Sequence, residues 1–277
     1  MRFTKNTVLV PLDFSEHSDM ALTMATEIAL KWKASVILLH VIDMPDYKGM
    51  DDKLINHFKE EARYFAQTKM DEWVARGTMP IKQVKCEVVI GNAGSKVVEF
   101  ANKEQVSLIL LGSKKYENAD EMLAGSAMER ILRYANCPVL TIKEYKKIEE
   151  IKNIVFATDF KPTHTFITKQ LKRLQEITGA TIHILKVNTK DSWMSDAAIE
   201  NEMREYNEIH NFTDFHFHVA NSESVELGIL HYYEFIYADM IAMSIHSLIH
   251  EKVRFNNYYI TERVLQNMPA LLWTCIQ

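Results

Sequence analysis

Two short groups of residues near the middle of the chain have types and spacing that suit the binding of an anion. Gly112 and Ser113 follow a continuous apolar run, and Gly125 and Ser126 precede a helical pattern. Backbone N–H groups are free at a helix start, where they attract anions, and glycine lets the backbone approach a ligand closely. Lys115 lies between the two groups. The sequence therefore predicts an anionic ligand here.

The apolar pattern predicts the elements that must position these residues. Strands are expected at 8–12, 34–41, 84–90, 108–111 and 139–142, with helical patterns between them. Ser15 is expected to cap the first helix. This order predicts an α/β fold, an open five-stranded parallel sheet with helices on both faces. Ligands of such sheets lie beyond the carboxyl ends of the strands, where the strand order reverses. Asp13, Val41 and Gly112 all end strands, so we expect them at that edge.

The second half of the chain repeats the pattern of the first. Asp159 and Val187 follow Asp13 and Val41 at the same separation of 146 residues, and further strand and helix features recur in the same order. Such self-similarity indicates an internal repeat. We expect two tandem domains, at 1–145 and 153–277, each with its own five-stranded parallel sheet, joined by a charged linker at 144–152.

Composition and charge exclude several classes of protein. The 277 residues are 47% hydrophobic and 25% charged, which is ordinary for a globular protein of two domains. A net charge of −5 argues against binding to nucleic acid. Three widely spaced cysteines fit neither a disulfide framework nor a zinc site, and no apolar run is long enough to span a membrane. We expect a cytoplasmic protein with no membrane partner.

The first half resembles the universal stress protein family, and the whole chain is similar to its tandem two-domain form. In nucleotide-binding members the signature is glycine, two residues, glycine, nine residues, glycine, then serine or threonine. Gly112, Gly125 and Ser126 match this signature, with nine residues between Lys115 and Gly125. Lys115 stands where the family has its second glycine. The resemblance implies a Rossmann-like fold of the adenine-nucleotide alpha hydrolase type.

The resemblance also implies a ligand and its binding residues. In the family, an aspartate at the position of Asp13 lies near the adenine and ribose, and the backbone at Val41 meets the adenine edge. The implied ligand is an adenine nucleotide, ATP first, bound in a stress response without catalysis. The implied set of binding residues is Asp13, Val41, Gly112, Ser113, Lys115, Gly125 and Ser126.

Other interpretations of the same residues stay open. Taken singly, Gly112 also suits a plain strand end, Ser126 a plain helix cap, and Asp13 a cap of the first helix. The protein is then a nucleotide-free interaction scaffold, or it binds another small ligand through its second half. We find no nucleophile elbow, phosphate-binding P-loop or Ser/His/Asp spacing that indicates an enzyme.

The second half lacks the nucleotide signature. Ser244 stands in the place of Gly112, and Asn257 and Tyr258 stand near that of Gly125 and Ser126. Histidines are frequent in this half, and His216 and His218 point the same way on a predicted strand. We interpret them as packed or solvated side chains and not as a metal site. The resemblance implies that the final strands of the two halves pair in an intramolecular pseudo-dimer, with a homodimer as a further expectation.

Overall fold

The computed structural model describes residues 6–43, 51–76, 84–114, 127–160, 165–245, 254–267 and 271–276. Strands and helices alternate along this part of the chain. The strands are β1 (Thr7–Leu12), β2 (Ser35–Ile42), β3 (Val84–Ile90), β4 (Leu108–Gly112), β5 (Val139–Ile142), β6 (Asn153–Ala157), β7 (Thr181–Asn188), β8 (Phe215–Asn221), β9 (Met240–Ile245) and β10 (Leu271–Ile276). The helices are α1 (Glu16–Trp32), α2 (Asp52–Arg76), α3 (Ala93–Lys103), α4 (Ala127–Tyr134), α5 (Thr165–Thr178), α6 (Asp196–His210), α7 (Val225–Phe235) and α8 (Arg254–Asn267).

The strands form one sheet of ten, in the order β3-β2-β1-β4-β5-β10-β9-β6-β7-β8. Neighbouring strands run parallel within each half. The two halves meet through an antiparallel pair, with Ile142 of β5 opposite Leu271 of β10. The predicted α/β class and parallel strands are confirmed. The two expected five-stranded sheets are joined at their last strands, because each leaves an open edge there that the other can pair.

The sheet is covered by helices on both faces, which explains its continuous apolar strands. In β4, Leu108 and Leu110 contact the core on one face, while Ile109 and Leu111 contact the core on the other. The first of these cores is continuous across the junction of the halves and includes Trp273. Among the described helices, none is both long enough and apolar enough to cross a bilayer.

The segment predicted as a charged linker packs against both halves. Ile148 and Ile151 are fully buried in the continuous core. Glu27 of α1 accepts a hydrogen bond from the backbone N–H of Ile148 at 2.9 Å. Asp239, before β9, accepts the backbone N–H groups of Lys152 at 2.7 Å and Asn153 at 2.9 Å. The connection is therefore an ordered part of the structure.

The Asp239 carboxylate is predicted to be a main support of this connection. It is buried and also accepts the ammonium of Lys146. Asp239→Ala leaves two N–H groups and an ammonium without their acceptor, so we expect a loss of about 2 to 4 kcal/mol in the free energy of unfolding. Urea denaturation measures this loss. Glu208→Ala, on the exposed face of α6, is the control, with a change below about 0.5 kcal/mol. A loss in the Asp239 variant no larger than that of the control would contradict the prediction.

Candidate functional site

The strand order of the first half reverses between β1 and β4. From β1 the sheet extends through β2 and β3 on one side and through β4 and β5 on the other. The structure brings four of the predicted binding residues to this edge: Asp13 follows β1, Val41 is the penultimate residue of β2, Gly112 ends β4 and Ser113 follows it. A crevice at such a reversal is where open parallel sheets bind ligands. The other three, Lys115, Gly125 and Ser126, lie outside the described residues.

Asp13 is tied to the start of α1. Its carboxylate accepts the backbone N–H of Ser15 at 3.0 Å and the hydroxyl of Ser18. Burial acts to raise the pKa of Asp13, but these hydrogen bonds outweigh it and the pKa lies below its usual value. The cap of the helix is Ser15, as predicted, which accepts the N–H of Ser18 at 3.3 Å. Asp13 is thus an ionised group that also organises the first turn of α1.

The turn after the first strand of each half has the same unusual backbone. Phe14 and Phe160 both have a left-handed conformation, with φ of 62° and 57°. Such a φ is strained for a bulky residue and persists only where packing fixes it. Phe14 packs on the ring of His40, with 4.6 Å between centroids, and the ammonium of Lys186 lies 5.8 Å from the ring of Phe160. Both halves therefore build the strand-to-helix turn in one way.

Gly112 is required by packing within the chain. A Cβ atom at this position would lie 2.1 Å from the carbonyl oxygen of His17 and 2.8 Å from the backbone nitrogen of Ser18. The first turn of α1 thus rests directly on the end of β4. Ser113 is buried, and its N–H donates to the carbonyl of Ile142 at 2.8 Å. Gly112 and Ser113 have structural roles whether or not a ligand is bound.

Arg130 is a candidate site residue that sequence reasoning missed. It donates to the hydroxyl of Ser95 at 3.0 Å, which places it beside the start of α3. A Cβ on Gly94 would lie 2.9 Å from the backbone of Ala127, so the starts of α3 and α4 touch. Arg130 is exposed and forms no ion pair with any residue that the structure describes. A positive charge therefore stands beside two helix starts.

The second half places a crevice at the equivalent edge, beyond the ends of β6, β7 and β9. Its volume is about 580 Å³. Asp159, Val187 and Ser244 line it, the counterparts of Asp13, Val41 and Gly112. Glu226 is the second residue of α7, as Gly94 is the second residue of α3. Its carboxylate accepts a hydrogen bond from the Arg263 guanidinium at 2.7 Å. Glu226 thus neutralises the arginine that corresponds to Arg130.

Comparison with known proteins identifies the family. The profile of the universal stress protein family matches residues 5–143. The chain belongs to the universal stress protein family. Two curated universal stress proteins of Methanocaldococcus jannaschii match half of it: MJ0531, with 28% identity over 50% of this chain and 83% of the relative, and MJ0577, with 30% identity over 49% and 93%.

The fold of the whole chain is also shared with a solved member of the family. The crystal structure of a universal stress protein from Archaeoglobus fulgidus aligns with a TM-score of 0.73 and 23% identity. The alignment covers 99% of this chain and 97% of that one. The tandem form expected from the sequence agrees with this match, which extends over both halves.

Three histidines of this universal stress protein cluster on the second half of the sheet. His183 lies 5.6 Å, centroid to centroid, from both His216 and His218. One ring nitrogen of His183 hydrogen-bonds Asn153 at 3.0 Å and the other contacts the Tyr232 hydroxyl at 3.5 Å. Within the described ranges no group of three or more His, Cys, Asp or Glu side chains is arranged to hold a metal. Two further histidines of this half, His246 and His250, lie outside those ranges.

The packing of Gly112 predicts a stability effect that needs no ligand. Gly112→Ala forces α1 away from β4, so we expect a loss of about 1 to 3 kcal/mol in the free energy of unfolding of the ligand-free protein. Ser244→Ala, at the equivalent position of the second half, removes a hydroxyl without adding bulk and is expected to cost less than about 0.5 kcal/mol. Chemical denaturation of both variants tests this. Equal stabilities of the two variants would contradict the prediction, because they would show that α1 can move away from β4 at no cost in stability.

The histidine cluster predicts a dependence of stability on pH. Burial and the neighbouring His218 and His216 lower the pKa of His183, and burial and His216 lower that of His218. As pH falls below about 6.5, the unfolded chain takes up protons that the folded protein excludes, so stability falls. His218→Gln should reduce this fall between pH 7.5 and 5.5, measured by urea midpoints. His231→Gln, exposed on α7, is the control; a fall as large in His218→Gln as in wild type would refute the expectation.

Proposed function

We propose that the first half of this universal stress protein binds an adenine nucleotide at the edge formed by β1, β2 and β4. ATP is the ligand we expect first, and the protein acts in a stress response by binding and not by catalysis. By the family resemblance, Asp13 and the backbone of Val41 would contact the adenine and ribose. Gly112 and Ser113 begin the side that would face the phosphates, which Lys115, Gly125 and Ser126 would complete.

The observation that supports this proposal is the charge of Arg130, which no carboxylate among the described residues pairs. The starts of α3 and α4 meet at the carboxyl edge of the sheet, where helix dipoles favour an anion. Arg130 adds a guanidinium, whose planar donors suit a phosphate. The equivalent Arg263 is already paired with Glu226. This difference supports a phosphate ligand in the first half.

A nucleotide-free interaction scaffold is the second candidate. It is favoured by the structural roles of Asp13 and Gly112, since both would be needed to position α1 without any ligand. We also propose that residues 1–145 and 153–277 form two domains and that their paired last strands make an intramolecular pseudo-dimer. A cytoplasmic location is part of the same proposal.

Substitution of Arg130 tests the proposed nucleotide site. We expect Arg130→Gln to weaken ATP binding about tenfold or more, because a hydrogen bond to a charged phosphate contributes about 1.5 to 3 kcal/mol. Isothermal titration calorimetry measures the affinity, and binding should weaken as salt is raised. Arg204→Gln on the exposed part of α6 makes the same change of charge far from the edge and should leave the affinity within about twofold.

Two outcomes would count against this proposal. Equal ATP affinity in the Arg130 and Arg204 variants would show that the Arg130 guanidinium does not contact the nucleotide. No binding of ATP, ADP or AMP to the wild-type protein would leave the scaffold as the better interpretation. Labelled ATP incubated with the protein and magnesium checks the absence of turnover that we expect.

A further inference from the structure

The crevice of the second half has the position and size of a small-molecule site. It lies where the strand order reverses between β6 and β9, and its volume of about 580 Å³ falls in the range of ligand pockets. We propose that this crevice binds a small organic cation, an amine on an apolar body, and that it does not take a phosphate. This inference does not rest on the nucleotide site proposed for the first half.

The walls of the crevice offer contact to an apolar body. Val187, Ile229 and Met243 line it and are at least nine-tenths buried. α7 packs closely on β7, since a Cβ on Gly228 would lie 2.5 Å from a methyl group of Val187. Because such a wall is rigid and apolar, the ligand gains affinity by burying hydrocarbon there.

The start of α7 cannot serve as an anion site, because the chain fills it with its own carboxylate. Ser224 caps the helix by accepting the N–H of Leu227 at 3.4 Å. Glu226 follows in the first turn. Burial acts to raise the pKa of Glu226, but hydrogen bonds from its own backbone N–H, from Arg263 and from Ser224 outweigh it, and the pKa lies below its usual value. Glu226 is therefore ionised at neutral pH, and its carboxylate takes up the backbone N–H that a phosphate would need.

The mouth of the crevice adds two exposed carboxylates on adjacent loops. Asp191 follows β7 and Glu223 follows β8, and neither forms an ion pair with a described residue. The two loops are tied together, because the N–H of Ser222 donates to the carbonyl of Asn188 at 3.0 Å. The side chain of Asn188 also holds Met194 through bonds of 2.8 and 3.1 Å. The loops thus present both carboxylates from an ordered frame.

The charged side chains among the described lining residues give the crevice a net negative charge. Arg263 balances Glu226, and Lys186 is a buried cation whose ammonium lies over the ring of Phe160. The two carboxylates at the mouth, Asp191 and Glu223, outnumber Lys186. A cation at the mouth with its apolar part against the wall satisfies both the charge and the shape of the crevice.

Three probes with one hydrocarbon body and different charge test this assignment. They are 2-phenylethylamine, the neutral 2-phenylethanol and the anionic 3-phenylpropanoate, titrated into the full-length protein at low salt. We expect the amine to bind at least tenfold more tightly than the alcohol and the anion not to bind measurably. Asp191→Asn/Glu223→Gln should weaken amine binding at least fivefold. Glu200→Gln/Glu208→Gln, on the exposed face of α6, makes the same charge change and should alter it less than twofold.

Saturation with ATP separates this site from the edge in the first half. We expect the amine affinity to be unchanged when ATP is present, because the two sites belong to different halves. Tighter binding of the anion than of the amine would overturn the proposal, as would equal affinities for all three probes. Equal effects of the two double variants, no binding of the amine, or its displacement by ATP would also overturn it. Thermal melts of both double variants confirm that the comparison is made between folded proteins.

Discussion

The antiparallel pairing of β5 with β10 is the contact on which the rest of the architecture depends. Four residue pairs, from Ile142 opposite Leu271 to Val139 opposite Thr274, turn two parallel sheets into one. They also carry one core across the junction, with Trp273 almost fully buried in it. Because the pair is antiparallel, the two halves run in opposite directions. Their carboxyl edges, and with them the two candidate sites, therefore lie at opposite ends of the strands.

The two edges share a backbone plan and differ in their charges. Both halves turn from strand to helix through a phenylalanine with left-handed backbone, Phe14 or Phe160. At the neighbouring helix starts, one half has Gly94 and Arg130, which donates to Ser95 and has no ion pair among the described residues, and the other has Glu226 paired with Arg263. A single carboxylate thus changes what the same geometry attracts. The repeated fold fixes where a ligand can lie, while a few side chains decide which charge it can carry.

Burial on both faces explains why the strands could be predicted from the sequence. Runs such as Leu108–Leu111 must be apolar throughout, and the helices between them keep an apolar stripe. Both patterns can therefore be recognised in the sequence alone. The requirement for glycine at position 112 could not be predicted, because it depends on His17, which is distant in the chain but close in space. Arg130 was visible only as part of a repeated sequence. Its interest depends on Gly94 standing where the second half has Glu226, a relation between helix starts that only the folded arrangement reveals. The crevice of the second half was missed for a similar reason, since its walls come from separate strands and helices.

The order in which the chain is made gives the β5–β10 contact a further consequence. About 130 residues separate the two strands, which a ribosome adds in roughly 6 to 26 seconds. During that time a folded first half would expose the edge of β5, whose unpaired backbone and apolar side chains invite contact with other nascent chains. Molecular chaperones that shield such edges would matter most in this interval. Once β10 docks, the outermost strands of the sheet are β3 and β8, and the vulnerable edge has disappeared from the finished protein.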